Sequence, residues 1–426
     1  MLGSLQQAVK IGDLRQKVLF TLMMFAVFRL GAHIPVPSIN LDAITALINS
    51  QAFLSFFDLI SGGAFGKFSI FAMSITPYIN ASIIMQLLQV VVPSLEKLSK
   101  EGDEGRKKIT EYIRYLTVVL AFIQAAGIAI ALGRSPINGI TAVQNPGIAS
   151  YLVIAICLTA GTALLMWIGE MITEKGIGNG ISLIIFAGIV ARIPQGITTI
   201  WEYLKAGTVQ YWNVALFIVL ALLVIAALVA MNEGQRRLPV QYAKRVVGRK
   251  VYGGQSTFLP LRVNMAGVIP IIFAMSIMMF PATIAQWFPK SGFSGFISTY
   301  FGYGSIAYNL FYALLIVFFT YFYTAIIFNP LDVAENIKKY GGFIPGIRPG
   351  RPTAEYIDKV LSRLTLFGGV FLALVALLPN FIIALTGLKS VWFGGTALLI
   401  VVGVALDTMK QMESHLLLRS YEGFVK

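Results

Sequence analysis

Residues 52–92, AFLSFFDLISGGAFGKFSIFAMSITPYINASIIMQLLQVVV, decide how the rest of the chain is interpreted. The first apolar piece, 53–60, is far shorter than the about 20 residues that cross a bilayer, and Ser61-Gly62-Gly63 ends it. The second apolar run, 68–92, is long enough to cross and carries Pro77 near its middle. A short re-entrant helix followed by a Pro-broken span is typical of a segment that lines a cavity. An interfacial helix followed by an ordinary kinked span fits this stretch equally well.

The composition is that of a polytopic membrane protein. Of the 426 residues, 57% are hydrophobic and 12% are charged, whereas a soluble chain carries about 25% charged residues. The single cysteine, Cys157, excludes an intramolecular disulfide and a thiolate metal cluster. Two histidines that lie far apart in the sequence cannot form a zinc site without carboxylates. We therefore expect neither a metal nor a cofactor.

Hydropathy predicts ten transmembrane spans, and basic residues predict their orientation. Residues 1–17 have the pattern of a basic amphipathic helix on the inner leaflet. Most of the 33 lysines and arginines lie on one side if the N-terminus is cytoplasmic, which places both termini in the cytoplasm. The predicted spans are at about 18–34, 68–92, 115–133, 149–169, 181–200, 213–231, 265–288, 305–328, 364–379 and 391–409.

Ten spans divide into two sets of five, which we assign to residues 1–205 and 206–426. An odd number of spans per set means that the two halves enter the membrane in opposite directions, as inverted repeats do, with the functional site near the midplane. The runs ITPYI at 75–79 and VIPII at 268–272 share a pattern, and each belongs to the second long span of its half. The predicted fold is an all-α polytopic membrane protein with ten transmembrane helices in two inverted five-helix halves.

The centres of the spans carry isoleucine instead of charge. Ile75 and Ile79 share one helix face, and Ile181 and Ile185 repeat that spacing. Isoleucine that faces lipid or packs against a neighbour explains any one of these residues by itself. A secondary transporter of a small solute, the alternative function, usually keeps an ionisable group at the midplane. An intramembrane enzyme finds no support, because the sequence has no HExxH motif, no nucleotide loop and no paired mid-span aspartates.

Two long loops, 232–264 and 329–363, are predicted on the cytoplasmic face and are rich in lysine and arginine. Clustered basic side chains bind phosphate and carboxylate strongly, so these loops could dock a large polyanionic or acidic partner. Contact with anionic lipid under the positive-inside rule is the simpler alternative. The basic residues that we assign to docking are Arg236, Arg237, Lys244, Arg245, Arg249, Lys250 and Arg348.

Six runs stand in order along the chain: ISGG from Ile60, PYINASII from Pro77, GEMITEKGIGNGIS from Gly169, GQRRLPVQYAKR from Gly234, VNMAGVIP from Val263 and GGFIPGIRPG from Gly341. In these runs the chain resembles the SecY family of protein-conducting channels, and the resemblance extends over about residues 10–422. It implies an hourglass pore between the two halves that passes unfolded polypeptides and opens sideways, between spans 2 and 7, to release transmembrane segments into lipid.

The resemblance also implies roles for individual residues. An aliphatic ring seals the waist of the pore, with Val268 at a neighbouring pore-facing position; the ring residues are Ile75, Ile79, Ile181, Ile185, Ile272 and Ile400. A plug at about 53–65 closes the pore from the far side through Phe53, Phe56, Phe57, Ile60, Ser61, Gly62 and Gly63. The lateral gate includes Asn80, Gln124 and Phe280, and Arg348 matches the most critical docking arginine.

The partners that the resemblance implies are those of the general secretory pathway. They are the small membrane subunits SecE and SecG, the motor ATPase SecA, the ribosome with its RNA, the translocating preprotein with its signal sequence, and lipid. The expected location is the bacterial plasma membrane.

Overall fold

The structure is a computed structural model. It describes residues 12–50, 61–134, 142–242, 245–247, 250–252, 256–287, 305–386 and 395–424, with the single residues 58, 292, 295 and 302. Most of the predicted amphipathic helix at 1–17 lies outside these residues.

The N-terminal half is helical, with its longest helices at 103–134 and 148–175. Asn179 caps one of the shorter helices, because its side chain accepts a hydrogen bond from the Ser182 amide. The helices are α1 (Gly12–Gly31), α2 (Leu41–Ser50), α3 (Thr76–Val91), α4 (Pro93–Lys100), α5 (Asp103–Arg134), α6 (Ile148–Lys175), α7 (Gly180–Val190) and α8 (Ile193–Lys205).

The C-terminal half combines helices with short strands. Ser305 and Asn329 cap two of the helices by accepting hydrogen bonds from the amides of Tyr308 and Leu331. The elements are α9 (Tyr211–Glu233), β1 (Gln235–Tyr242), β2 (Arg245–Val247), β3 (Lys250–Tyr252), β4 (Ser256–Arg262), α10 (Ile269–Trp287), α11 (Ile306–Ile327), α12 (Pro330–Lys339), β5 (Gly342–Phe343), α13 (Arg351–Thr386) and α14 (Gly395–Phe424).

The prediction of a multi-pass membrane protein is confirmed. Within the described residues, six helical segments are long and apolar enough to cross a membrane, and α3 with α4, which bend by 101° at Val92, make a possible seventh. The count of ten spans stays a prediction. The predicted division after residue 205 falls at the end of α8, before the turn that leads to α9.

The two halves repeat one pattern of helix contacts. In the N-terminal half, α3 contacts α5, α5 contacts α6, α6 contacts α7, and α1 contacts both α6 and α7. The C-terminal half has the matching contacts: α10 with α11, α11 with α13, α13 with α14, and α9 with both α13 and α14. The halves meet where α10 contacts α3 and α5, and again where α14 contacts α7. This pairing is what two repeats of five spans would produce.

Span 2, predicted at about 68–92, is helical only over Thr76–Val91. Residues 61–75 form successive turns, and α3 begins only at Thr76. Pro77 therefore lies in the first turn of the helix and does not kink a span. Proline lacks a backbone N–H, but in the first turn that N–H would have no hydrogen-bond partner within the helix. The apolar side chains before it are still buried, with Phe68 and Phe71 almost fully enclosed.

The fold is mostly helical, as predicted, and the two basic loops also contain short β-strands. Strand β1 pairs antiparallel with β4, with Gln235 opposite Arg262, and on its other edge with β5, where Tyr242 lies opposite Gly342. Beneath this three-stranded sheet lies a separate small core, to which α12 and α13 also contribute; its buried residues are Leu238, Val240, Leu261, Ile337, Ile344 and Ile357. The loops 232–264 and 329–363 thus form one folded unit.

Candidate functional site

The predicted ring residues come together in the structure. Ile75, Ile79, Ile185, Ile272 and Ile400 are buried in one hydrophobic cluster, and Ile181 packs against it while half-buried. They lie on α3, on the residue that directly precedes it, and on α7, α10 and α14. Both halves of the chain therefore contribute. The ring itself stays a prediction, but the gathering of these side chains at one place is an observation.

Close backbone approaches fix two members of this region. Val268 packs against α14 at Gly403, where its side chain occupies the space that a Cβ would need. Ile181 packs in the same way against Gly169 of α6. Each of these two contacts therefore lies within one half of the molecule, Val268 against α14 in the C-terminal half and Ile181 against α6 in the N-terminal half.

The described members of this cluster include no Asp, Glu, Lys, Arg or His. Apolar, branched side chains offer water no hydrogen-bond partner, so a narrow passage lined by them tends to dewet and resists ions. They also make no directional bonds to a chain that passes between them. The chemistry of the cluster suits a seal that yields to polypeptides of any sequence.

Only part of the predicted plug can be described. Phe53, Phe56, Phe57 and Ile60 lie outside the described residues, whereas Ser61, Gly62 and Gly63 are in turns. Gly62 has φ +67°, and a Cβ placed on it would lie 2.8 Å from the Cα of Gly188 in α7. The backbone of this segment therefore rests directly against α7.

Sequence reasoning missed the charged contacts of this segment. Asp58 is buried, and its Oδ2 lies 2.6 Å from Nη1 of Arg192, at the break between α7 and α8. Asp58 Oδ1 accepts a hydrogen bond of 2.5 Å from the Gly66 amide, and Arg29 of α1 donates one of 2.9 Å to the Gly62 carbonyl. The available signal was a single acidic residue in an apolar stretch. A carboxylate buried in such a stretch needs a cation beside it.

The predicted lateral-gate residues lie on helices that contact one another. Asn80 is buried on α3 and Gln124 is half-buried on α5, and both helices contact α10. The side chain of Phe280 lies outside what the structure describes. On the far face of α10, Phe273 packs edge-to-face on Phe319 and Tyr323, with ring centroids 5.7 and 5.9 Å apart. Aromatic packing thus joins α10 to its own half.

The predicted docking residues fall on the cytoplasmic sheet and its loops. Arg236 and Arg237 are exposed on β1, and Arg348 is exposed in the turn after β5. Arg245 and Lys250 lie on the hairpin strands β2 and β3, whereas Lys244 and Arg249 lie outside the described residues. Because β1 pairs with both β4 and β5, the sheet holds the two basic loops beside each other.

Comparison with known proteins identifies the family. The family model described as SecY matches residues 69–409. The chain is 50% identical to the protein translocase subunit SecY of Halalkalibacterium halodurans, with both chains fully covered. It is 48% identical to that of Escherichia coli K12, over 98% of this chain and 95% of the other. This chain belongs to the SecY family. The predictions of family, of a protein-conducting channel and of no enzymatic activity are confirmed.

Solved structures show the same fold. A structure described as that of a protein conducting channel superposes with a TM-score of 0.64 at 19% identity, covering 94% of this chain and 92% of the other. Sec61 in a canine ribosome-channel complex from the endoplasmic reticulum gives a TM-score of 0.62 at 18% identity, with the same coverage.

Proposed function

We propose that unfolded polypeptides of the general secretory pathway cross the membrane between the two halves of this SecY-family chain, through the isoleucine cluster. The observation that carries this proposal is the convergence of uncharged aliphatic side chains from α3, α7, α10 and α14 in one buried cluster. Both halves contribute to it, so moving them apart would widen the passage. Hydrophobic side chains close it against ions in the resting state.

Cross-linking tests the path directly. In a chain with Cys157 replaced by serine, single cysteines at Ile79 or Ile272 should cross-link to a secretory chain stalled in transit. The matched control is a cysteine at Leu223 of α9, a residue that is 62% exposed on the outside of the helical bundle and should face lipid. Equal cross-linking at all three positions would contradict a central path.

The lateral gate is proposed at the contact of α10 with α3 and α5. The two halves meet at this seam, and Asn80 and Gln124 lie on its N-terminal side. A transmembrane segment inside the passage could leave through this seam because apolar surface gains by moving into lipid. Phe280 is proposed as the gate residue of α10.

The cytoplasmic sheet is proposed as the docking surface for the motor SecA and the ribosome. Exposed Arg236, Arg237 and Arg348 can form charge-assisted hydrogen bonds with carboxylates or RNA phosphates. Sec61, which has the same fold, was solved in a ribosome-channel complex, and this supports the proposal. Lys244, Arg245, Arg249 and Lys250 are proposed to extend the same surface.

The setting of the channel is proposed from the family and from the charge distribution. We place it in the bacterial plasma membrane with both termini in the cytoplasm, in agreement with the positive-inside rule. SecE and SecG are proposed as its membrane partners.

A further inference from the structure

We propose that the Asp58–Arg192 ion pair, supported by Arg29, is a latch that holds the plug seated in the resting channel. The inference rests on the proposed function and on the further proposal that the segment around Asp58 is the plug of the passage. Within that segment, the structure describes Asp58 and residues 61–66, and the latch is argued from those residues alone.

In this ion pair Asp58 is buried and Arg192 is partly exposed. Arg192 Nη1 lies 2.6 Å from Asp58 Oδ2, and the side chains are 23% and 7% exposed. The other carboxylate oxygen accepts from the Gly66 amide. A carboxylate this enclosed is costly without a cation, so removing either partner penalises the seated position of the segment.

Asp58 also organises the backbone that follows it. Its carbonyl accepts hydrogen bonds from the Gly63 amide and the Ser61 hydroxyl, at 2.9 and 3.1 Å. The Ser61 hydroxyl oxygen in turn accepts from the Phe65 amide at 3.0 Å. These hydrogen bonds tie Asp58 to the turns of residues 61–66, so the ion pair acts on those turns as well.

Arg29 holds the same turns from a second helix. Its Nη1 donates to the Gly62 carbonyl at 2.9 Å, next to the contact between Gly62 and Gly188 of α7. Arg29 lies on α1 and Arg192 follows α7, so both belong to the N-terminal half. Separation of the halves at α10 would leave these bonds intact. Displacement of the plug must break them in a step of its own.

A latch makes a prediction that an ordinary structural ion pair does not. If the pair only stabilised the fold, its loss would lower the yield of folded protein and leave the resting channel closed. If it is a latch, its loss shifts the population from seated to displaced plug in a folded channel. Ion conductance of the resting channel separates the two cases.

The experiment compares Arg192→Gln, Asp58→Asn and the double variant, each purified with its membrane partners and recorded in planar bilayers without substrate. Each single variant should raise the resting open probability at least tenfold. The double variant should show no further rise, because both changes remove one interaction. Lys67→Gln is the matched control: it removes an exposed positive charge beside Gly66 and should keep the resting channel closed.

The outcomes are distinguishable. The latch would be overturned if both single variants have wild-type conductance while channels whose ring isoleucines are replaced by glycine leak ions. The proposed pore would still stand in that case. No leak in the ring variants either would count against the proposed pore. If Arg192→Gln yields no monodisperse complex, Arg192→Lys is tested in its place. This variant keeps the charge but loses the guanidinium fork, so we expect an intermediate leak. Wild-type conductance in Arg192→Lys would overturn the latch.

Discussion

Isoleucine suits a constriction that must close against ions and open for a polypeptide. Its branched side chain fills space and has few rotamers, and it forms no hydrogen bond that would retain a passing chain. The i,i+4 spacing of Ile75 and Ile79 predicts only that the two share a face. That they meet Ile272 and Ile400 from the other half could be predicted from the family resemblance but not from spacing, since contacts between distant helices leave no local pattern.

Replacing Ile79, Ile185 and Ile272 together by glycine should make the resting channel leak ions. The change removes the apolar seal and leaves room for a continuous column of water. Single-channel recording in planar bilayers measures the resting conductance. Because glycine also weakens each helix by about 1 kcal/mol, the matched control places three glycines at exposed positions of α9, Val219, Leu222 and Leu223. Equal conductance in the two variants would contradict the seal.

Reversing the charge of Arg348 with Arg348→Glu should reduce SecA-driven translocation to background in reconstituted vesicles. Arg348 is exposed in the turn between β5 and α13, where a glutamate would repel an acidic partner. The matched control is Arg351→Glu, because Arg351 is also exposed and forms a surface ion pair with Glu355, which contributes about 0–1 kcal/mol. The control should keep more than half of the rate. Normal translocation by Arg348→Glu would exclude a docking role.

At the scale of elements, hydropathy reports burial more faithfully than conformation. Residues 68–75 are as apolar as a helical span, yet they form turns, with positive φ at Phe68 and Ser74. Non-helical backbone is tolerated at membrane depth when protein encloses it, and here Gly161 of α6 packs directly against the Ile70 carbonyl. Pro77 was the local signal for a helix start, because proline is favoured in a first turn.

The cytoplasmic sheet could be recognised only in part from the sequence. Leu238 and Val240 alternate with exposed residues along β1, which is the two-residue period of a strand. The pairing of β1 with β5 joins Gln241 to Phe343, a contact between residues so distant in sequence that no turn signal marks it. For this reason the sequence predicts the two basic loops only as separate features.

The small core under this sheet should keep both basic loops folded. Leu261→Ala removes a fully buried side chain from β4 and should lower the free energy of local unfolding by about 2–5 kcal/mol. Phe258→Ala is the matched control on the same strand, since Phe258 is 57% exposed and surface changes cost within about 0.5 kcal/mol. Hydrogen exchange of residues 235–262 measures the difference. Equal protection in the two variants would show that the sheet is held by other contacts.

At the scale of the whole molecule, the two halves meet at two unlike seams. One is the contact of α10 with α3 and α5, where the gate is proposed. The other joins α7 to α14, and there the Gly178 amide donates a hydrogen bond of 3.0 Å to Oε1 of Gln411. A channel that opens at one seam needs the other to stay joined, so we assign the second seam the role of a hinge.

Loss of the hydrogen bond at the second seam should therefore weaken the whole molecule without touching the gate. Gln411→Leu removes the acceptor at similar volume and should lower the free energy of unfolding by about 0.5–1.5 kcal/mol, while Gln411→Glu keeps an acceptor oxygen and should stay near wild type. The Gly178 amide loses its partner only in the first variant. Thermal unfolding of the purified complex, followed by tryptophan fluorescence, measures the shift, and translocation rates should fall with it. If Gln411→Leu unfolds at the wild-type temperature, the hydrogen bond does not join the halves.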